Sequence, residues 1–298
     1  MLPDEKAPVA DLGASPAAIR THYDLGNDFY SRWLDKSLCY SAARWDTEND
    51  DLETAQRQKL DWHLDAAKVG KAARLLDVGC GWGALLSNAL DRGAARIIGI
   101  TPSNKQAGWI RQHHMSSRIQ VIEETWQRSA FDKPIDAIIS IGALEHFARP
   151  GLSPRQKIEA YVRFFNFCQG TLTANGRLST QFIGWTEMPQ ESEDQFLPKI
   201  LFPESNLPRV DEVLSAAAPQ FDLVKLENRP EDYTRTLRAW LKHLRANQSA
   251  LTKSYGSDVV REYVRGFQRF MLGFEAGTIG LYRVAWKVRS QHISRTVS

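Results

Sequence analysis

The residues best placed for chemistry lie in Leu75-Leu76-Asp77-Val78-Gly79-Cys80-Gly81-Trp82-Gly83. An apolar run of β character ends in an acid, and three glycines follow at alternate positions. Glycine tolerates positive φ and lets backbone approach a ligand closely, so this loop can wrap a flat, polar-edged molecule at the mouth of a parallel sheet. The helix after it, from Ala84, turns its N-terminal amides toward the same ligand. Two cofactor classes use such a loop. A dinucleotide site calls for Gly-x-Gly-x-x-Gly and an acid about twenty residues on. Here the spacing is Gly-x-Gly-x-Gly, and the next strand, Arg96-Ile97-Ile98-Gly99-Ile100, ends in Thr101-Pro102-Ser103 without an acid. The pattern reads as S-adenosylmethionine (SAM) rather than NAD. The plainer alternative is a glycine loop that only packs a helix on a strand.

The surrounding pattern supplies a scaffold that brings this loop to a sheet edge. Strands are expected at Arg74–Val78, Arg96–Ile100, Ile119–Ile122, Ile135–Ile141 and near Arg177–Phe182. Helices are expected from about Leu52 to Lys68, after the glycine loop, from Ser103, and from Ser153-Pro154, where an N-cap serine precedes a first-turn proline. Continuous apolar strands alternating with helices indicate an α/β fold, a parallel sheet covered on both faces. Residues 1–20 are polar and rich in Ala and Pro, and read as an arm that turns helical near Pro16. Between Gly184 and Phe221 the alternation stops, and Pro189, Pro198, Pro203, Pro208 and Pro219 punctuate the chain. That stretch reads as a lid or substrate-pocket insertion in a single domain spanning 1–298.

Composition sets mild bounds. The chain has 298 residues, 43% hydrophobic and 24% charged, ordinary for a soluble globule. A net charge of +3 gives no reason to expect nucleic acid as a partner. From Lys225 to Ser298, however, 14 Lys and Arg stand against 6 Asp and Glu, a net +8 that leaves −5 for the rest. Such a region suits an anionic membrane surface or an acidic substrate, with a solvated helix face as the plainer alternative. Cys39, Cys80 and Cys168 are odd in number and lack metal-ligand spacing, which predicts a reducing cytoplasm and no metal site. No apolar run approaches a membrane span, and the segment from Met1 to Lys6 lacks the layout of a signal peptide.

Residues outside the glycine loop narrow the reading. They are His22-Tyr23-Asp24-Leu25-Gly26-Asn27-Asp28-Phe29-Tyr30, Tyr40-Ser41, Gly99-Ile100-Thr101, Gln106, Trp126, the run from Ser140 to Phe147, and the run from Tyr233 to Trp240. In this order the chain resembles the cyclopropane fatty acid synthase and mycolic acid cyclopropane synthase family of SAM-dependent methyltransferases. The resemblance spans about residue 20 to 245 and weakens toward the C-terminus. It implies a Rossmann-like class I methyltransferase fold, with a mostly parallel seven-stranded sheet and helices on both faces. It further implies that Tyr40 and Ser41 touch the methionine end of SAM, with Asp77, Gly79 and Gly81 in the loop beneath. Thr101 and Gln106 would hold the ribose, which accounts for the absent acid. Trp126 and Gln127 would lie against the adenine, and Ile141 near the sulfonium. Taken singly, Trp126 reads as a core aromatic, Thr101 as a helix cap and Ile141 as the end of a buried strand; the combination carries the assignment.

The chemistry then centres on the end of strand four. Methyl transfer is an in-line displacement that depends on positioning and water exclusion. If the acceptor is an alkene, attack on the methyl leaves a carbocation, which a buried carboxylate and aromatic faces can hold. Glu145 is placed for the first role. Tyr233 and some of Trp109, Trp185 and Trp240 are candidates for the second, and His146 is a third candidate catalytic residue, with hydrogen-bonding support of the acid as its plainer alternative. The plainer alternative for Glu145 is a cap on the turn that follows.

Departures from the family carry equal information. Its cyclopropane synthases bind a bicarbonate that removes a proton from the added methyl, through a cysteine in Tyr-Ser-Cys, a glutamate, a histidine ending strand five and a tyrosine. Here the glutamate and tyrosine positions are Glu145 and Tyr233, but the cysteine position holds Ala42 and the histidine position Gln181. Cys39 lies three residues early and is expected to point elsewhere, and a further family cysteine falls on Phe270. This half-dismantled anion site argues against bicarbonate and ring closure, and leaves methyl transfer untouched. The expected activity is SAM-dependent methylation at an olefinic carbon of an apolar acyl chain or specialised metabolite. N-methylation of a small amine is the alternative, and a non-catalytic SAM-binding relic is a third. Neither the acceptor nor the oligomeric state is readable.

Overall fold

The apolar runs at 74–78, 96–100 and 135–141 become largely buried strands because they lie in the middle of one sheet. The computed structural model describes residues 12–23, 25–186 and 203–290. Its strands are β1 (Arg74–Val78), β2 (Arg96–Ile100), β3 (Ile119–Ile122), β4 (Ile135–Ile141), β5 (Leu172–Trp185), β6 (Phe221–Asn228) and β7 (Ile279–Val288). They form one seven-stranded sheet in the order β3-β2-β1-β4-β5-β7-β6. The first five strands run parallel, and β7 is antiparallel to both β5 and β6. This is the expected mostly parallel α/β architecture. Leu75, Leu76, Ile97, Ile138 and Ile139 are fully or almost fully buried at its centre, each such side chain contributing about 1.5–3 kcal/mol.

The helices are α1 (Pro16–Tyr23), α2 (Asn27–Ser31), α3 (Leu52–Ala66), α4 (Ala84–Asp91), α5 (Asn104–His113), α6 (Pro154–Thr171), α7 (Val210–Ala217), α8 (Pro230–Ala246), α9 (Gln248–Tyr255) and α10 (Ser257–Glu275). Local chemistry sets their starts. Ser103 caps α5 by accepting the amide of Gln106, and Ser153 with Gln156 forms a reciprocal capping box ahead of Pro154 in α6. The order β1, β2 and β4 around the glycine loop places it at the C-terminal edge of the sheet, where the strand order reverses and α/β folds bind ligands.

Two expectations are corrected. Strand β5 runs from Leu172 to Trp185 rather than Arg177–Phe182, because Leu172 pairs with Ile135 of β4 at its start and β7 pairs with it from Arg177 through Trp185. The irregular stretch is narrower than 184–221: Gly184 and Trp185 finish β5, and Val210–Ala217 is a helix. Val213, Ala216 and Ala217 of that helix are completely buried, so it belongs to the layer over the sheet. Residues 187–202, the heart of the expected lid, and 1–11 of the expected arm lie outside the described residues. The arm's end is described: Ala14 donates its amide to the His146 carbonyl and Leu12 accepts from Arg149, which straps it over the turn after β4.

A second core lies beyond the strand ends. Phe29, Tyr30 and Trp33 pack with Trp240 of α8 and with Tyr263, Phe267, Phe270 and Phe274 of α10. This aromatic layer faces the same sheet edge as the glycine loop. Among the described residues no helix is long and apolar enough to cross a membrane.

Candidate active site

The ten residues expected around SAM come from five separate segments, and all of them line one cavity. Tyr40 and Ser41 enter from the loop before α3, Asp77, Gly79 and Gly81 from the end of β1, Thr101 and Gln106 from the end of β2 and start of α5, Trp126 and Gln127 from a single 3₁₀ turn after β3, and Ile141 from the end of β4. The glycine loop is pinned by the amides of Gly79 and Cys80, which both donate to the Ile100 carbonyl. Thr101 Oγ1 donates to Gln106 Oε1 at 2.7 Å, which fixes the two polar side chains against each other. Trp126 is also packed on Phe147, Phe164 and Phe167, so its ring is both cavity wall and core.

These residues fit a SAM-sized, zwitterionic ligand on two observations. Gly81 has φ +52°, and a Cβ built there would meet no protein atom within 4 Å, so the cradle it leaves is open toward the cavity. Two opposite charges, Asp77 and Lys59, are buried in the same wall. Burial pushes the Asp77 carboxyl up to about 7, opposed by the positive charge of Lys59. Sequence reasoning passed over Lys59. Its only signal is the spacing Gln56, Lys59, His63, a polar stripe at helical period on the buried face of α3.

A second, smaller cavity adjoins the first, and Tyr23, Tyr40, Ser41, Gly142 and His146 line both. Its walls are largely aromatic and aliphatic: Tyr233, Leu237 and Trp240 of α8, Phe267 and Phe270 of α10, and Ile183 and Leu281 of the sheet. Glu145 is the one carboxylate among its described lining residues. Oε1 accepts the Ile183 amide at 2.7 Å, so the side chain reaches across to β5, and the carboxylate also draws on its own backbone amide. Oε2 is buried without a hydrogen-bond partner. Burial pushes this carboxyl up to about 7, against the Ile183 amide, which holds it down. His146 Nδ1 lies 2.6 Å from Ser205 Oγ, and burial takes the imidazole down to about 4, leaving it neutral and weakly basic near pH 7.

The structure brings Glu145, His146 and Tyr233 to this cavity. Of the three candidate tryptophans it brings only Trp240. Trp109 stacks instead on His113, and Trp185 is buried in the core at the end of β5. Cys39 faces the larger cavity, not the Glu145 cavity.

Ala42, Gln181 and Phe270 also line the Glu145 cavity, and they are a poor fit for bicarbonate. Ala42 and Phe270 have no side-chain donor. Gln181 Nε2 donates to the Ala42 carbonyl, and its Oε1 accepts from Arg283 Nε at 2.7 Å. Arg283 is completely buried and donates also to Asp232 Oδ2 at 2.7 Å and to the Ala43 carbonyl. The amide expected to help hold an anion is therefore engaged in holding the Ala42-Ala43 loop. Of the donors the family uses for the anion, this leaves the Tyr233 hydroxyl, in a cavity that also holds the Glu145 carboxylate, so an anion recovers less of its lost hydration here.

Comparison with known proteins places the chain by sequence and fold. The family model for mycolic acid cyclopropane synthetase matches residues 12–284. Cyclopropane mycolic acid synthase 1 of Mycobacterium tuberculosis (strain CDC 1551 / Oshkosh) is 29% identical over 289 residues, covering 91% of this chain and 93% of its own. The structure of the cyclopropane synthase MmaA2 from Mycobacterium tuberculosis superposes with a TM-score of 0.84 at 26% identity, covering 93% of this chain and 99% of its own. That of mycolic acid cyclopropane synthase CmaA1 complexed with SAH and CTAB gives 0.83 at 27% identity, with the same coverage.

Proposed function

The chain belongs to the mycolic acid cyclopropane synthetase family of SAM-dependent methyltransferases, and from that premise we propose that it methylates an olefinic carbon within an apolar chain and resolves the resulting cation without bicarbonate. The observation that carries this reading is the Glu145 carboxylate, half hydrogen-bonded and half unpartnered, in an aromatic-walled cavity beside the SAM site.

When bound, SAM supplies an electrophilic methyl: the π pair of the acceptor forms the new C–C bond and the C–S pair stays on sulfur. The chain's own residues do the rest. Leu237, Phe267, Phe270 and Leu281 give the acceptor a dry, apolar seat. The Tyr233 and Trp240 rings offer their faces to the positive carbon. Glu145 lies in surroundings of low dielectric, where a fixed charge acts strongly. It is also the better proton acceptor, since its carboxyl sits near 7 and the His146 imidazole near 4. Loss of a proton from a chain carbon next to the cation leaves a methyl-branched alkene and a protonated Glu145. The same contrast means that an amine acceptor, too, would have to give its proton to Glu145 and not to His146.

The acceptor is proposed to be an unsaturated acyl chain in the cytoplasm. The basic C-terminal region would bring the protein to an anionic membrane surface. The test is incubation with methyl-labelled SAM and either unsaturated phospholipid vesicles or a panel of secondary and tertiary amines. Label in the lipid chain supports the reading; label only in amines contradicts it.

A further inference from the structure

Lysine 59 is an ammonium enclosed in a protein wall with too few partners. It is 1% exposed, it lines the larger cavity, and its Nζ donates to Ser41 Oγ at 3.0 Å. An ammonium carries three donors; the Cys39 thiol takes a second one, so one remains. Among the described residues no carboxylate forms an ion pair with it. Asp35 and Asp77 both feel its charge, but Asp35 is taken up by the amides of Ser37 and Cys39. A buried charge is stable when paired and hydrogen-bonded. The cavity wall therefore presents an unmet demand for an anion at one place.

We propose that Lys59 and Ser41 together bind the α-carboxylate of the SAM and S-adenosylhomocysteine amino-acid group. The inference rests on the larger cavity being the SAM site. SAM carries one carboxylate, so a cation in this wall has one group to receive. Ser41 suits the second contact, because its oxygen accepts from Lys59 and its own hydrogen is free to point at the ligand. Gln56 holds this arrangement from behind: Nε2 donates to the Ser41 carbonyl at 3.0 Å and to that of Cys39 at 3.3 Å, fixing the backbone on which Ser41 sits. Helix α3 thus acts through Gln56 on the position of Ser41, and through Lys59 on the ligand itself.

The experiment measures binding, with no turnover. Calorimetric titration of S-adenosylhomocysteine and its decarboxylated analogue, which keeps the adenosine, thioether and amine, is performed on the wild type and on Lys59→Met. The wild type is expected to prefer S-adenosylhomocysteine by roughly ten- to a hundredfold, the range for hydrogen bonds to charged groups. In Lys59→Met that preference collapses to within about threefold, while the analogue binds much as before. Equal weakening of both ligands makes Lys59 structural and overturns the proposal, as does a preference that survives the substitution. The wild-type comparison needs no variant, so it decides even if Lys59→Met fails to fold: equal affinity for the two ligands contradicts the proposal. A wild type that binds neither ligand overturns the SAM-site reading itself, and the proposal with it.

Discussion

Glu145 Oε1 accepts the backbone amide of Ile183 at 2.7 Å, while Oε2 of the same carboxylate is buried with no hydrogen-bond partner. One oxygen anchors the side chain to β5, and the other is the one to which the proposed role falls. Glu145→Gln keeps the size and the acceptor for Ile183 but removes the charge. It is expected to lower turnover about 10²-fold or more, with SAM affinity close to wild type. Steady-state kinetics beside calorimetric binding checks this, and full activity in the variant would reassign Glu145 to holding the turn.

The raised Glu145 carboxyl sets two opposite pH trends. Turnover needs the ionised form and should rise with pH through about 7. Stability runs the other way. The folded state keeps a proton that the unfolded chain releases near 4.5, so the contribution is complete below that value and is lost as pH rises toward 7. Glu145→Gln removes both trends from this residue. Relative to wild type it should gain about 3 kcal/mol between about pH 5 and pH 8, one pKa unit being about 1.36 kcal/mol. Asp77 titrates in both proteins and cancels. Denaturant unfolding at the two pH values measures the difference; a difference that does not change with pH contradicts it.

Gly81→Val tests the cradle. The new side chain meets no protein atom near its Cβ but enters the space the ligand needs, at a φ of +52°. The expected result is loss of SAM binding by calorimetry, with a stability cost of about 1–2 kcal/mol from the left-handed backbone. Retained binding would place the ligand elsewhere.

Asp232→Asn tests the network behind the second cavity. It removes the charge paired with the completely buried Arg283, which also holds Gln181 and the Ala43 carbonyl. Breaking a buried pair from one side costs about 3–5 kcal/mol, to be read from chemical unfolding. A loss well under 1 kcal/mol would show that Gln181 and the loop are held by something else.

Strands β1 to β4 were legible to the residue, because each is a short apolar run closed by glycine, proline or a polar turn. Strands β6 and β7 were not located. Strand β6 is an edge strand with Leu223 and Val224 exposed, so burial does not pattern it. That the ten expected residues would meet in the larger cavity was legible, because most of them sit in the glycine loop or at strand ends. The second cavity was only half legible. Glu145 and Tyr233 stand in recognisable runs, but Phe267 and Leu281 reach it from α10 and β7, far along the chain, and Arg283 acts behind its wall through Gln181. The commitment of Gln181 to Ala42 and Arg283 depends on the antiparallel register that sets Gln181 opposite Arg283. Lys59 stayed hidden because a lysine on a helix ordinarily reads as solvated; Gln56 and His63 on the same buried face were the clue.

The central claim is that the cation is resolved without bicarbonate and with the new methyl group intact. The most direct measurement uses SAM with a trideuterated methyl and an unsaturated phospholipid, in carbonate-stripped buffer under inert gas and again with bicarbonate restored. Product mass and NMR then follow the label. The account predicts equal turnover in the two buffers and a methyl-branched alkene that keeps all three deuterons. Strong stimulation by bicarbonate, with a cyclopropane that has lost one deuteron from the transferred carbon, would contradict it.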